Sequence, residues 1–245
     1  MQNNVNKKFF KDNGFLILNK FYDLKTINSS FEEINTGQER VKKFFKKNEK
    51  NISDYGFAYE NSGIKYLKTP ELFFPSVYNL ITKDLFNIIS SLLDDQIFIK
   101  TIELHQKFPG STESPPHQDN FYFCLQKGKS ATAYIPLNIQ NKSNGGLAVY
   151  PSSHKNDFPH YQSDIVGFSS GIKNLNLTSY SPYNYSLSPG DLSIHHCNIV
   201  HFAPPNISKK PRISIAIRFQ SSKDSIDKNK EKTYFEFLKV SKRKE

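Results

Sequence analysis

The stretch SPGDLSIHHCNIVHFAPPNISKKPRISIAIRF, residues 188–219, holds two short strand-like runs, DLSIHH and RISIAIRF, set apart by Pro, Gly, Asn and Ser. Short runs rich in β-branched residues and bounded by turn formers read as strands. The same texture reaches upstream to Gln96 through IFIKTIELHQKF, FYFCLQ, ATAYIPLNI, GLAVYP and YSLS. Strands at such short intervals predict a sandwich or barrel, and the fold expected here is β-rich α+β with a jelly-roll core.

The first hundred residues have a different character, with helices dominating. A short helix through Phe9 and Phe10 is expected to stop at Gly14 and hand over to a strand over residues 15–18. A charged helix is expected over residues 29–48. Val77, Leu80, Ile81, Leu85, Ile88, Ile89 and Leu92 recur at helical spacing, which predicts one amphipathic helix entered through Pro75 and ended near Asp94. These helices would cover one face of the sheet. The expectation is one domain over residues 1–220, helical over residues 1–95 and with a jelly-roll core over residues 96–220. A charged tail, 221–245, follows, with a linker over 221–232 and a last short helix over 234–240. Residues 155–185, rich in Ser, Asn, Tyr and Pro, read as a long functional insertion between strands.

Lys and Arg outnumber Asp and Glu by 33 to 23, so anionic partners must be weighed, but the excess is scattered over solvent-type positions and does not favour nucleic acid. Two cysteines make no disulfide framework. The N-terminus carries no cleavable apolar segment, and no window nears the roughly 18 apolar residues of a membrane span. A cytoplasmic protein with a small-molecule partner and no membrane is expected; the oligomeric state is not readable.

HQD, residues 117–119, puts a histidine and a carboxylate two apart, which on a strand places both side chains on one side. A third ligand could come from His195, His196 or His201. Two imidazoles and one carboxylate on one face of Fe(II), with the opposite positions open, form the facial triad of non-haem iron oxygenases.

The ordered set HQD, NGGLAVYPSSH, PGD with a histidine ten residues after its aspartate, and an arginine eleven further on resembles the phytanoyl-CoA dioxygenase family. The resemblance covers roughly residues 100–220, and FFKDNGFLIL is similar to the family's opening helix and strand. It implies a double-stranded β-helix and an Fe(II)- and 2-oxoglutarate-dependent dioxygenase that uses O2 to hydroxylate a small-molecule metabolite, releasing succinate and CO2. It also implies His117, Asp119 and His201 as iron ligands, and Arg212 as the partner of the distal carboxylate of 2-oxoglutarate. Gln118 and Tyr134 would line the co-substrate pocket, although Tyr134 stands where the best-known members have Trp. Ala203 departs from the family at a place where a hydroxyl commonly helps hold the distal carboxylate, so a lysine or tyrosine upstream would have to supply that bond. The carboxylate at Asp119 favours hydroxylation, or a desaturation or cyclisation derived from it, over halogenation.

Other residues are read more plainly. His154 is structural, orienting a loop; Gly145 and Gly146 make a tight turn. Glu103 and His105 share a strand face, at the pocket or at its rim. Arg218, six after Arg212, fits an AlkB-type nucleic-acid demethylase as one alternative function. A jelly roll that binds a ligand without turnover is the other.

Overall fold

The computed structural model describes residues 2–47, 56–60, 63–163 and 169–241. Helix α1 (Gln2–Asn13) ends at Gly14 and passes into β1 (Phe15–Leu18), as its sequence predicts. Helix α2 (Leu24–Lys47) begins five residues before the expected start, because the Asp23 carboxylate accepts the Thr26 N–H at 2.8 Å and caps it. Strands β2 (Phe57–Glu60) and β3 (Gly63–Lys68) form a hairpin that the helical reading of this half missed.

The single helix expected from Pro75 to Asp94 is two elements. Pro75–Leu80 is a 3₁₀ segment carrying Val77 and Leu80, and α3 (Lys83–Leu93) starts afresh. Thr82 breaks the run: its hydroxyl accepts the Leu85 N–H at 3.1 Å, so the chain restarts at an N-cap while the apolar spacing continues across the break.

The strands β4 (Ile97–Lys107), β5 (Ser114–His117), β6 (Ser130–Pro136), β7 (Ala148–Val149), β8 (His160–Gln162), β9 (Ser170–Ile172), β10 (Tyr183–Asn184), β11 (Leu192–His196), β12 (His201–Ala203) and β13 (Arg212–Ser221) make up the β-rich region. Between β5 and β6 lies the one-turn helix α4 (Asn120–Phe123), and α5 (Lys228–Ser241) closes the chain. FYFCLQ is therefore not a strand. Tyr122 and Phe123 both donate backbone N–H groups to Asp119 O, and Asn120 clasps the Leu125 backbone with both ends of its amide, which holds the segment in a turn. The tail also differs from expectation, since β13 runs on to Ser221 and the last helix already starts at Lys228, inside the expected linker.

Seven strands form a large sheet in the order β1-β11-β6-β13-β4-β3-β2, and four form a small one, β10-β7-β12-β5. A separate hairpin, β8-β9, lies within the 155–185 insertion. Alternation along the large sheet creates two cores. Ile213, Ile215, Ile217 and Phe219 of β13, with Ile102, Leu104, Ala133 and Ile194, face the helices and pack with Ile27, Ile34, Phe74 and Ile89. The opposite face carries Phe15 and Tyr134, which join Val149, Ile199 and Leu187 in a smaller cluster between the sheets. Polar residues of that inner face, rather than its apolar ones, set up the site. No helix among the described residues is long and apolar enough to cross a membrane.

Candidate metal centre

His117 ends β5, and His201 opens β12 as its cross-strand partner. Their rings lie 4.2 Å apart, centroid to centroid. Asp119 reaches the same point by another route than strand alternation. The strand stops at His117, and Asp119 already has helical backbone (φ −57°, ψ −32°) as α4 begins. His117 Nε2 and His201 Nε2 lie 3.9 and 3.7 Å from Asp119 Oδ1. The three ligand atoms fall within 4.8 Å of one another, and all three residues are buried.

Each imidazole is oriented from behind. Nδ1 of His117 faces Pro115 O at 2.7 Å, and Nδ1 of His201 faces Ile199 O at 3.1 Å. A carbonyl can only accept, so each Nδ1 carries the proton and each Nε2 presents its lone pair to the centre. Burial depresses both histidines' pKa values, which keeps the rings neutral and fit to bind a cation. For Asp119, burial alone would raise the carboxyl; Arg218, His201 and His195 outweigh it and hold the group well below the usual carboxylate range. Oxygen Oδ2 accepts the Thr132 hydroxyl at 3.1 Å and lies 3.7 Å from His195 Nε2. Oxygen Oδ1 is buried with no hydrogen-bond partner among the described residues. An orphaned anionic oxygen facing two neutral imidazole nitrogens is the donor set of a divalent transition metal, and these residues fit an Fe(II) ion.

The downstream histidines separate by face. His195 points inward, behind Asp119, while His196 points to the helices, beside Phe10 and His154. Its Nδ1 accepts the Asn198 N–H at 3.1 Å. His154 faces Lys11 O at 3.1 Å, tying its loop to α1 in the structural role read from PSSH.

Arg212 is buried on the inner face and donates from Nη1 to the Tyr134 hydroxyl, which in turn donates to Gln140 Oε1 at 2.5 Å. Its Nε is buried without a hydrogen-bond partner among the described residues, so the fork is braced yet unsaturated, as a carboxylate receptor requires. Tyr134 thus belongs with Arg212, whereas Gln118 does not. Its amide donates to Asn156 O at 2.8 Å and to Asn198 O, and its Oε1 accepts the Phe158 N–H at 3.2 Å. Lying between His117 and Asp119 in sequence, it turns to the outer loops and pins them, in place of the pocket-lining role expected of it.

Sequence reasoning did not find Thr132 or the partner of Arg218. Glu103 Oε2 takes Arg218 Nη2 at 3.1 Å and His105 Nε2 at 3.1 Å, while Arg218 Nη2 lies 3.9 Å from Asp119 Oδ1. Burial would raise the Glu103 carboxyl, but Arg218 and His105 hold it down at about 2. Strand alternation carried a signal for both: Thr132 shares a face with Tyr134, and Glu103 with His105. Outside the triad, Tyr122 packs edge-on against His117 at 5.7 Å, and Tyr234 of α5 packs against Tyr122 at 5.8 Å. The C-terminal helix therefore stands one ring away from the centre.

Residues 10–214 match the phytanoyl-CoA dioxygenase (PhyH) family. Among curated proteins, the chain is 32% identical over 165 residues to 1-deoxypentalenic acid 11-beta-hydroxylase of Streptomyces exfoliatus, covering 56% of each protein. It spans about half the length of the curated relatives it matches. Among solved structures, it resembles the non-haem alpha-ketoglutarate-dependent epimerase SnoN from nogalamycin biosynthesis, with TM-score 0.69 and 16% identity over 92% of this chain and 83% of that one. It also resembles EctD of S. alaskensis with 2-oxoglutarate and 5-hydroxyectoine, with TM-score 0.67 and 16% identity over 90% and 78%. At these identities the two structures establish a shared fold.

Proposed function

We propose that this chain, which belongs to the phytanoyl-CoA dioxygenase family, is an Fe(II)- and 2-oxoglutarate-dependent dioxygenase that hydroxylates a small organic metabolite with release of succinate and CO2. The observation that carries the reading is the buried His117, Asp119 and His201 set, gathered within 4.8 Å. With O2 and the co-substrate, the bound ferrous ion supplies the oxidising power that side chains lack.

The chain's own residues supply placement. His117 and His201 would hold the ion through neutral Nε2 atoms, and Asp119 through Oδ1. Arg212, braced by Tyr134 and Gln140, takes the far carboxylate of 2-oxoglutarate and so fixes how its keto acid meets the ion. Tyr122 and Tyr234 wall the centre on the α5 side and keep water from it. Arg218 is neutralised by Glu103 and has no spare charge for a phosphate backbone, which favours a small-molecule substrate over the demethylase alternative. The two buried, unpaired cysteines suit a reducing cytoplasm.

Anaerobic titration of the apoprotein with Fe(II) and 2-oxoglutarate tests the reading. The visible charge-transfer band of a chelated keto acid is expected in the wild type and absent from His117→Ala. A folded wild type without the band at saturating reagents would leave a ligand-binding jelly roll as the better description. Substrate candidates are then screened by succinate release, starting from 1-deoxypentalenic acid, the compound in the relative's name.

A further inference from the structure

Lys107 is the last residue of β4 and the cross-strand partner of Arg212, so both side chains enter the space between the sheets from the same face. Both residues are buried. Lys107 then crosses to the small sheet, where its Nζ donates to Ala203 O at 3.1 Å. Ala203 is where the hydroxyl expected beside the co-substrate is missing, and the ammonium arrives at that same residue.

The surroundings are shaped for this crossing. A Cβ on Gly145 would sit 2.6 Å from Lys107 Cδ, so only glycine leaves room for the stem. Asn206 Nδ2 donates to Lys107 O at 2.8 Å and to Lys210 O at 2.9 Å, fixing the end of β4 against the turn that leads into β13. A buried ammonium and a buried guanidinium on one face of neighbouring strands both favour an anion in the space they share. A carboxylate placed between them meets the unsatisfied Arg212 Nε side and the Lys107 ammonium together. A serine or threonine at 203 would offer one neutral hydrogen bond; an ammonium offers a charge-assisted one, roughly twice as strong.

We propose that Lys107 is the second binding group for the distal carboxylate of 2-oxoglutarate, opposite Arg212 and in place of the hydroxyl absent at position 203. This rests on the oxygenase reading above.

The test compares two keto acids by anaerobic Fe(II) titration. 2-Oxoglutarate carries the distal carboxylate; 2-oxopentanoate has a methyl group in its place. Lys107→Met is expected to weaken 2-oxoglutarate binding by about tenfold or more, the loss of one charge-assisted hydrogen bond, and to leave 2-oxopentanoate binding unchanged. Adding Ala203→Ser to that variant should recover some of the loss. Should the methionine variant fail to fold, Lys107→Gln carries the comparison. Unchanged 2-oxoglutarate affinity, or an equal loss for both keto acids, overturns the assignment while the oxygenase reading stands. Absence of a band for either keto acid in the wild type overturns both.

Discussion

The Thr132 hydroxyl donates to Asp119 Oδ2 at 3.1 Å, while Asp119 Oδ1, on the side of the two histidines, has no hydrogen-bond partner among the described residues. One oxygen is anchored and the other is available, which fixes the rotation of the carboxylate before a metal arrives. Partners of this kind typically change metal affinity 10–100-fold when removed. Thr132→Val, which keeps the shape and deletes the donor, should therefore weaken Fe(II) binding by about that factor. Metal titration against an unchanged melting temperature checks this; equal affinity in the variant would show that Thr132 does not orient the ligand.

The ion pair of buried Glu103 and half-buried Arg218 should behave asymmetrically. Removing one partner of a buried ion pair leaves the other charge uncompensated and costs about 3–5 kcal/mol, whereas replacing both by apolar or neutral groups of similar volume is often close to neutral. Glu103→Gln is expected to lower unfolding stability by less than that, since Arg218 is 19% exposed and keeps Asp119 Oδ1 at 3.9 Å, and Glu103→Gln with Arg218→Met to recover part of it. Denaturant midpoints of the three proteins decide the matter.

Acid should destabilise the fold from near neutrality downward. Burial pushes His196 down to about 3 and His160 down to about 4, both from an ordinary value of 6.5. Below pH 6.5 the unfolded chain takes up protons that the folded chain refuses, so stability falls with pH until each folded value is reached. Glu103, held at about 2 against an ordinary 4.5, loses its contribution toward the lower end of the same range. Urea stability measured from pH 7 to pH 4 should decline. His196→Gln should flatten the decline whatever its effect on absolute stability; an unaltered slope would mean that His196 is not buried neutral.

Gly37 sits in the buried face of α2, where glycine normally costs about 1 kcal/mol relative to alanine. Here the gain from alanine should be reversed. A Cβ would lie 2.7 Å from Cε1 of Phe74, a fully buried ring with no space to retreat, and overpacking costs about 1–3 kcal/mol. Gly37→Ala is expected to melt a few degrees lower than the wild type; a higher melting temperature would show that α2 can shift away from Phe74.

Local chemistry determined much of this protein. The long strands IFIKTIELHQKF and RISIAIRF, the helix that stops at Gly14, and the family pattern of HQD, PGD and their spaced histidine and arginine all depend on composition and short-range order, which a sequence displays directly. Three matters were decided only when the chain closed on itself. Asp119 joins His117 through the start of a helical turn, because Asn120 clasps Leu125 and FYFCLQ cannot extend. Gln118, between two inward residues, is spent on loops 38 and 80 residues away, a partnership that no local pattern encodes. Lys107 meets Ala203 across 96 residues of chain because β4 and β12 belong to opposite sheets at the same level of the barrel. Spacing determines which residues share a face; what faces them from the other sheet is set by long-range registry, and that is a property of the folded chain.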